Sequence, residues 1–149
     1  MRMALYQPDI AGNVGTIIRT AACLRARVDL IEPMGFAWSG RALARAGMDY
    51  AGAAIVTRHV DWDAFLTTAA TRIVLFTTKA ATRLDETQFA AGDILLFGSE
   101  GSGVPDPVHD RADLRVRIPM DRGMRSLNLA VSAGIALAEA LRQIRGFPE

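Results

Sequence analysis

Cysteine is almost absent from this 149-residue chain. Cys23 stands alone, which excludes an internal disulfide and a cysteine metal cluster. Histidine is nearly as scarce, with only His59 and His109, so no metal site is expected. Lysine is scarcer still: of 17 basic residues, Lys79 is the one lysine and the rest are arginine. That bias fits genomic composition. It also fits phosphate and stacked-base recognition, for which the planar guanidinium is better suited than an ammonium. Neither sign of charge dominates, and a formal net charge of +1 does not by itself announce a nucleic-acid binder. No apolar run approaches the roughly 20 residues that span a bilayer. Met1-Arg2-Met3-Ala4-Leu5-Tyr6 lacks a signal-peptide core, so a cytoplasmic protein is expected. There is no low-complexity segment, internal repeat or linker. The length suits one domain, residues 1–149.

What the chain does have is apolar residues, half of the total, with a slightly positive mean hydropathy of +0.17. For so short a chain this fits burial against a second copy as well as a core. Strand and helix patterns alternate. Met3–Tyr6 reads as a strand ended by Pro8. A helix from Gly12-Asn13 to about Arg25 follows, with Val14, Ile17, Ile18 and Ala21 at helical spacing. Val28–Ile31 is a second strand and Ser39–Ala46 a short arginine-bearing helix. Ala54–Val56 is a short strand, and Trp62–Ala69 a helix started near Asp61. Arg72–Phe76 and Asp93–Phe97 carry continuous apolar runs, the mark of strands covered on both faces. Arg115–Ile118 is a further strand, and Ser126 to about Arg145 the longest helix. Strands separated by helices predict a parallel α/β sheet. The last helix carries two apolar stripes, Leu127/Val131/Ile135 and Leu129/Ala133/Leu137/Ile144. One is expected on its own sheet and the other on a second subunit.

Two loops carry the candidate chemistry. Gly98-Ser99-Glu100-Gly101-Ser102-Gly103 follows a strand, and its glycines let backbone approach a ligand. It is no Walker A loop, and its glycine order and late position make a poor dinucleotide fingerprint. It reads as a tight turn or as a ligand loop. The second is Ile118-Pro119-Met120 through Arg125-Ser126-Leu127-Asn128, entering the long helix. Ser126 is expected as its N-cap, while Asn128, one face with Ser132, is harder to explain as packing. Asn13 is a candidate N-cap of the first helix. Arg19 there has small neighbours, Gly15 and Thr16, that leave room for a ligand; a solvated surface role is its ordinary reading. Two loops within thirty residues suggest one pocket. A nucleotide-binding oxidoreductase or kinase, and a non-catalytic RNA-binding module, remain alternatives.

Three blocks in order resemble the SPOUT class of S-adenosylmethionine-dependent RNA methyltransferases. They are Asn13-x-Gly15-x-x-x-Arg19, Leu96 to Pro105, and Ile118-Pro119-Met120 with Arg125-Ser126-Leu127-Asn128. A fourth, Ile31 to Trp38 followed by Arg45-Ala46-Gly47-Met48-Asp49-Tyr50, is similar to the tRNA wobble-nucleotide 2′-O-methyltransferases, the TrmL group. The resemblance implies a C-terminal trefoil knot, a homodimer, and methylation of the ribose 2′-OH at nucleotide 34, cytidine or uridine, with leucine tRNAs as expected substrates. It also implies that S-adenosylmethionine is held by Phe76, Thr77, Gly98, Glu100, Gly101, Ile118, Met120, Ser126 and Leu127. Asn13, Arg19, Glu100, Ser126 and Asn128 would surround the chemistry, with Glu100 orienting Arg19. Arg41, Arg45 and Arg58 are candidate contacts to the anticodon-loop phosphates. The chain departs from the family at Ser99, Ser102 and Ala138, where relatives often carry proline, arginine and, in some, tyrosine.

Overall fold

A computed structural model of the chain describes residues 1–39 and 55–149. Their strands are β1 (Arg2–Tyr6), β2 (Arg27–Ile31), β3 (Ile55–His59), β4 (Ile73–Phe76), β5 (Thr82–Arg83), β6 (Ile94–Phe97) and β7 (Leu114–Arg117). The helices are α1 (Ala11–Cys23), α2 (Trp62–Leu66), α3 (Asp106–Arg111) and α4 (Leu129–Ile144). The seven strands form one sheet in the order β3-β2-β1-β6-β4-β7-β5, with every pairing parallel. The parallel α/β architecture read from the alternation is therefore present.

The central strands show why their apolar runs are unbroken. Met3, Leu5, Val28, Leu30, Val74, Phe76, Leu95 and Phe97 join one core with Val14, Ile17 and Ile18 of α1 and Ala133, Ala136 and Leu137 of α4. Their alternate neighbours Ala4, Ile31, Ile73, Leu75, Ile94 and Leu96 join a second core with Phe65 of α2 and Val108 of α3. Side chains alternate across a strand, so burial of both faces demands an apolar residue at every position.

Several boundaries differ from the sequence reading. Helix α1 stops at Cys23, because Arg25 turns to a φ of 53° and the Ala26 amide bonds back to the Ala21 carbonyl at 2.9 Å. Helix α4 ends the same way, with Arg145 at φ 54° and Gly146 bonded to Leu141. Helix α4 begins at Leu129 rather than at Ser126. Its cap is Asn128, whose side-chain oxygen accepts from the Ala130 and Val131 amides at 2.8 and 3.2 Å. Asn13 is no cap either: it lies inside α1, three residues beyond the N-cap position Ile10. Strand β5, two residues at the sheet edge, and the six-residue α3 lack any periodic signal and went unread. The expected helix over Ser39–Ala46 lies outside the described residues, apart from Ser39.

The two stripes of α4 have separate fates. Ala133, Ala136, Leu137, Ala140 and Leu141 are buried on the sheet and α1. Val131 and Ile135 are 50 % and 38 % exposed, so the described residues do not cover this stripe; Leu127, 39 % exposed, precedes the helix.

Candidate functional site

Parallel strands deliver their C-terminal ends, and the loops that follow, to one edge of the sheet. At the ends of β4, β6 and β7, beside the start of α4, lies a cavity of about 450 Å³, within the size range of small-molecule sites. Phe76, Thr77, Gly98, Glu100, Ile118, Met120, Ser126 and Leu127 line it, as do Asn13 and Asn128. The two loops singled out in the sequence are thus brought to one pocket. Leu75, Phe97, Ile10, Thr78, Val104 and Ser132 also line it. The strand residues among them were legible as core, and nothing in their pattern marked them as cavity floor. Phe76 stacks on Phe97 at a ring separation of 5.0 Å, giving the floor a flat apolar surface.

Glycine at position 98 is required by close approach. A Cβ there would sit 2.4 Å from the carbonyl carbon of Gly103. The loop is pinched shut at that point by reciprocal bonds, each 2.9 Å, between the backbones of Ser99 and Gly103. Gly103 has a φ of 67°, where a side chain would be strained. Ser99 and Ser102, two of the departures noted above, bond each other through their hydroxyls at 2.8 Å and brace the turn from within.

A polar chain crosses one wall of the cavity. Asn128 Nδ2 donates to Asn13 Oδ1 at 2.9 Å, and Asn13 Nδ2 donates to Glu100 Oε1 at 2.9 Å. The second Glu100 oxygen accepts the Asp9 amide at 2.7 Å. Asn128 thereby caps α4 and orients Asn13 with the same side chain. Asn13 is 9 % exposed, and an amide bonded through both its oxygen and its nitrogen explains a buried polar residue on an otherwise apolar helix face.

Two expected residues fall off the cavity wall. Arg19 is exposed on α1, six residues beyond Asn13 and on a different face of the helix. Gly101 does not line the cavity, and its amide donates to Asp9 Oδ2 at 3.1 Å. The sequence reading made Glu100 the orienter of Arg19; the bonds the structure gives Glu100 are to Asn13 and Asp9. Arg58 sits on the outer strand β3, bonded to Glu32 and over the Trp38 ring at 5.3 Å. Arg41 and Arg45 lie outside the described residues. Asp9 was missed altogether, because a lone acid after a proline carries no pattern.

Glu100 is the one charged side chain on the lining among the described residues, and no lysine or arginine joins it. A carboxylate on one wall and a stacked aromatic floor suit a ligand with positive charge and a flat apolar part. The fold and this site together define a parallel α/β domain with a cavity of small-molecule size at its strand ends. The chain matches the SpoU rRNA Methylase family over residues 1–138 and belongs to that family.

It is 48 % identical over 95 % of its length to a tRNA (cytidine(34)-2′-O)-methyltransferase of Beijerinckia indica, covering 91 % of that protein. It is 40 % identical to the enzyme of the same name from Escherichia coli K12, over 99 % of this chain and 96 % of that one. A solved structure described as giving insights into the 2-OH methylation of C/U34 on tRNA superposes with a TM-score of 0.92. That chain is 41 % identical, with 97 % of this chain and 96 % of that one covered. An AdoMet-bound rRNA methyltransferase from Sinorhizobium meliloti superposes with a TM-score of 0.86 at 29 % identity, over 96 % of this chain and 56 % of that one.

Proposed function

We propose that this chain transfers a methyl group from S-adenosylmethionine to the ribose 2′-OH of nucleotide 34, cytidine or uridine, in tRNA, as a homodimer in the cytoplasm. The observation that carries the reading is the cavity itself. It has backbone loops at three strand ends, an aromatic floor, and the Glu100 carboxylate on one wall. Those features fit a cofactor that joins an adenine ring to a positively charged sulfonium. When bound, it supplies the methyl group and the leaving group for in-line transfer.

The chain's own residues then align the acceptor. The loops after β4, β6 and β7 hold the cofactor, with Gly98 letting the backbone come close. The Asn13 amide, fixed from both sides by Asn128 and Glu100, positions the ribose hydroxyl. Arg19 stabilises the developing alkoxide or holds a substrate phosphate. A guanidinium hardly ever deprotonates in proteins, so a phosphate oxygen or water takes the proton. Arg58, with Arg41 and Arg45, supplies phosphate contacts to the anticodon loop.

Two finer features belong to this reading. The first is a C-terminal trefoil knot. Its support is the strand order, in which β5 lies at the edge, β6 returns between β1 and β4, and β7 enters between β4 and β5. The second is dimerisation through the exposed stripe of α4, Val131 and Ile135, beside a groove lined by Ala138 and Phe147. Arg19 lies off its own chain's cavity, which is consistent with service to the cavity of the second copy.

The test is methyl transfer from labelled S-adenosylmethionine to bacterial tRNA lacking the modification, with the product nucleotide mapped by nuclease digestion and mass spectrometry. A 2′-O-methyl at nucleotide 34 is expected. Transfer to a different nucleotide, or cofactor binding without any transfer, refutes the proposal.

A further inference from the structure

Asp9 and Glu100 exchange backbone donors across two loops. The Asp9 amide donates to Glu100 Oε2 at 2.7 Å, and the Gly101 amide, next to Glu100, donates to Asp9 Oδ2 at 3.1 Å. Each carboxylate is turned onto an N–H group of the other's loop. The exchange joins the turn after β1 to the turn after β6. These strands are direct neighbours, with Leu5 opposite Phe97. Asp9 is also held from behind. The Gly35 amide donates to the Pro8 carbonyl at 3.0 Å, and a Cβ on Gly35 would lie 2.9 Å from the Asp9 Cα. The Asp9 backbone therefore has no room to retreat from the loop it grips.

We infer that Asp9 is a positioning residue of the methyl-transfer site: its carboxylate holds the Gly101 amide and sets the Gly98–Gly103 turn against the cavity. This rests on the reading of the cavity as the cofactor site. Asp9 does not line that cavity, so it acts through the loop and not on the ligand. Without its side chain the Gly101 amide turns to water, and binding must first restore the turn. The loss falls equally on ground and transition states, which raises KM and spares kcat.

The experiment uses the intact protein, with tRNA as acceptor. Kinetics are run against S-adenosylmethionine, and cofactor binding is measured directly by calorimetry. Asp9→Ala is expected to raise the cofactor KM and Kd about fivefold, the worth of one exposed hydrogen bond, with kcat within about twofold of wild type. Asp9→Asn keeps an oxygen that accepts from Gly101 and is expected to return both constants to within about twofold of wild type. Asp61→Ala serves as the comparison. It removes a bond of the same kind, the 2.8 Å acceptance of the Ala64 amide, on the other face of the sheet, and is expected to lower Tm with KM unchanged. Asp9→Ala that lowers Tm but leaves KM and Kd at wild-type values overturns the inference, as does Asp9→Asn impaired as much as Asp9→Ala. If the wild-type protein binds no S-adenosylmethionine, the cavity reading itself fails and takes the inference with it.

Discussion

Replacing Gly98 with alanine tests whether the pinched loop builds the cavity. The added Cβ would meet the carbonyl carbon of Gly103 at 2.4 Å and its Cα and oxygen at 2.6 Å. All three are backbone atoms, so no side chain can swing aside. Relief requires the loop to open by about an ångström, which breaks both Ser99–Gly103 bonds. At about 1 kcal/mol for each bond, with overpacking strain of the same order, the cost is about 2–4 kcal/mol. That is within the stability of an ordinary domain, so the variant folds, with Tm lower by about 5–15 °C. Binding the cofactor must reclose the loop, and the same energy weakens affinity about 30-fold or more. Calorimetric titration with S-adenosylmethionine reads that number directly. Gly101→Ala calibrates it, since a Cβ there meets only Asp9 Oδ2, at 3.4 Å, and should change affinity little. Wild-type affinity and Tm in Gly98→Ala would refute the claim that this close approach shapes the site.

Other residues give sharper separations. Asn128→Asp keeps the α4 cap but loses the Nδ2 donor to Asn13. It should retain Tm within about 2 °C and lose methyl transfer, whereas Asn128→Ala should lose both; equal activity of Asn128→Asp and wild type would remove Asn13 orientation from the mechanism. Asp29, 3 % exposed, accepts from Arg2 at 2.9 Å and pairs with His59 Nε2 at 2.8 Å. Asp29→Ala leaves the buried His59 without this partner, while Arg2 keeps its bonds to Thr68; it should cost about 1–3 kcal/mol in urea unfolding, with a cost below about 0.5 kcal/mol contradicting the buried pairing. The Arg142 guanidinium, with help from Gln143, holds the Glu139 carboxyl down at about 2. A depressed carboxyl stabilises the fold above its unfolded pKa of about 4.3, and the benefit disappears as pH falls through about 2. The Tm gap between wild type and Glu139→Gln should therefore be full at pH 7 and close on acidification; a gap independent of pH would contradict it. Mixing inactive Arg19→Ala and Asn128→Ala proteins should restore activity if Arg19 serves the second copy, because one site of each mixed dimer then has both residues intact. No recovery after verified subunit exchange would place Arg19 in its own chain's site.

How much of this was legible follows from what each residue does. The core strands were, because burial on both faces writes itself into sequence as Ile73-Val74-Leu75-Phe76 and Ile94-Leu95-Leu96-Phe97. The two site loops were as well, since glycines and polar residues interrupting apolar segments mark places where backbone meets something other than core. What failed to show was the reason for individual polar residues. Ser126 and Asn13 are good caps in isolation, and local propensity chose them. The structure assigns the α4 cap to Asn128, because the same amide also reaches Asn13, 115 positions away. Local rules hold no term for that partner. Asp9 is the same case in reverse. Its partners Glu100 and Gly101 lie more than 90 positions away, so no window of sequence around Asp9 holds them. They meet because β1 and β6 are adjacent in the sheet, an adjacency fixed by the crossover order and not by any single segment. A site assembled from loops at neighbouring strand ends therefore announces its loops in the sequence and withholds the bonds between them.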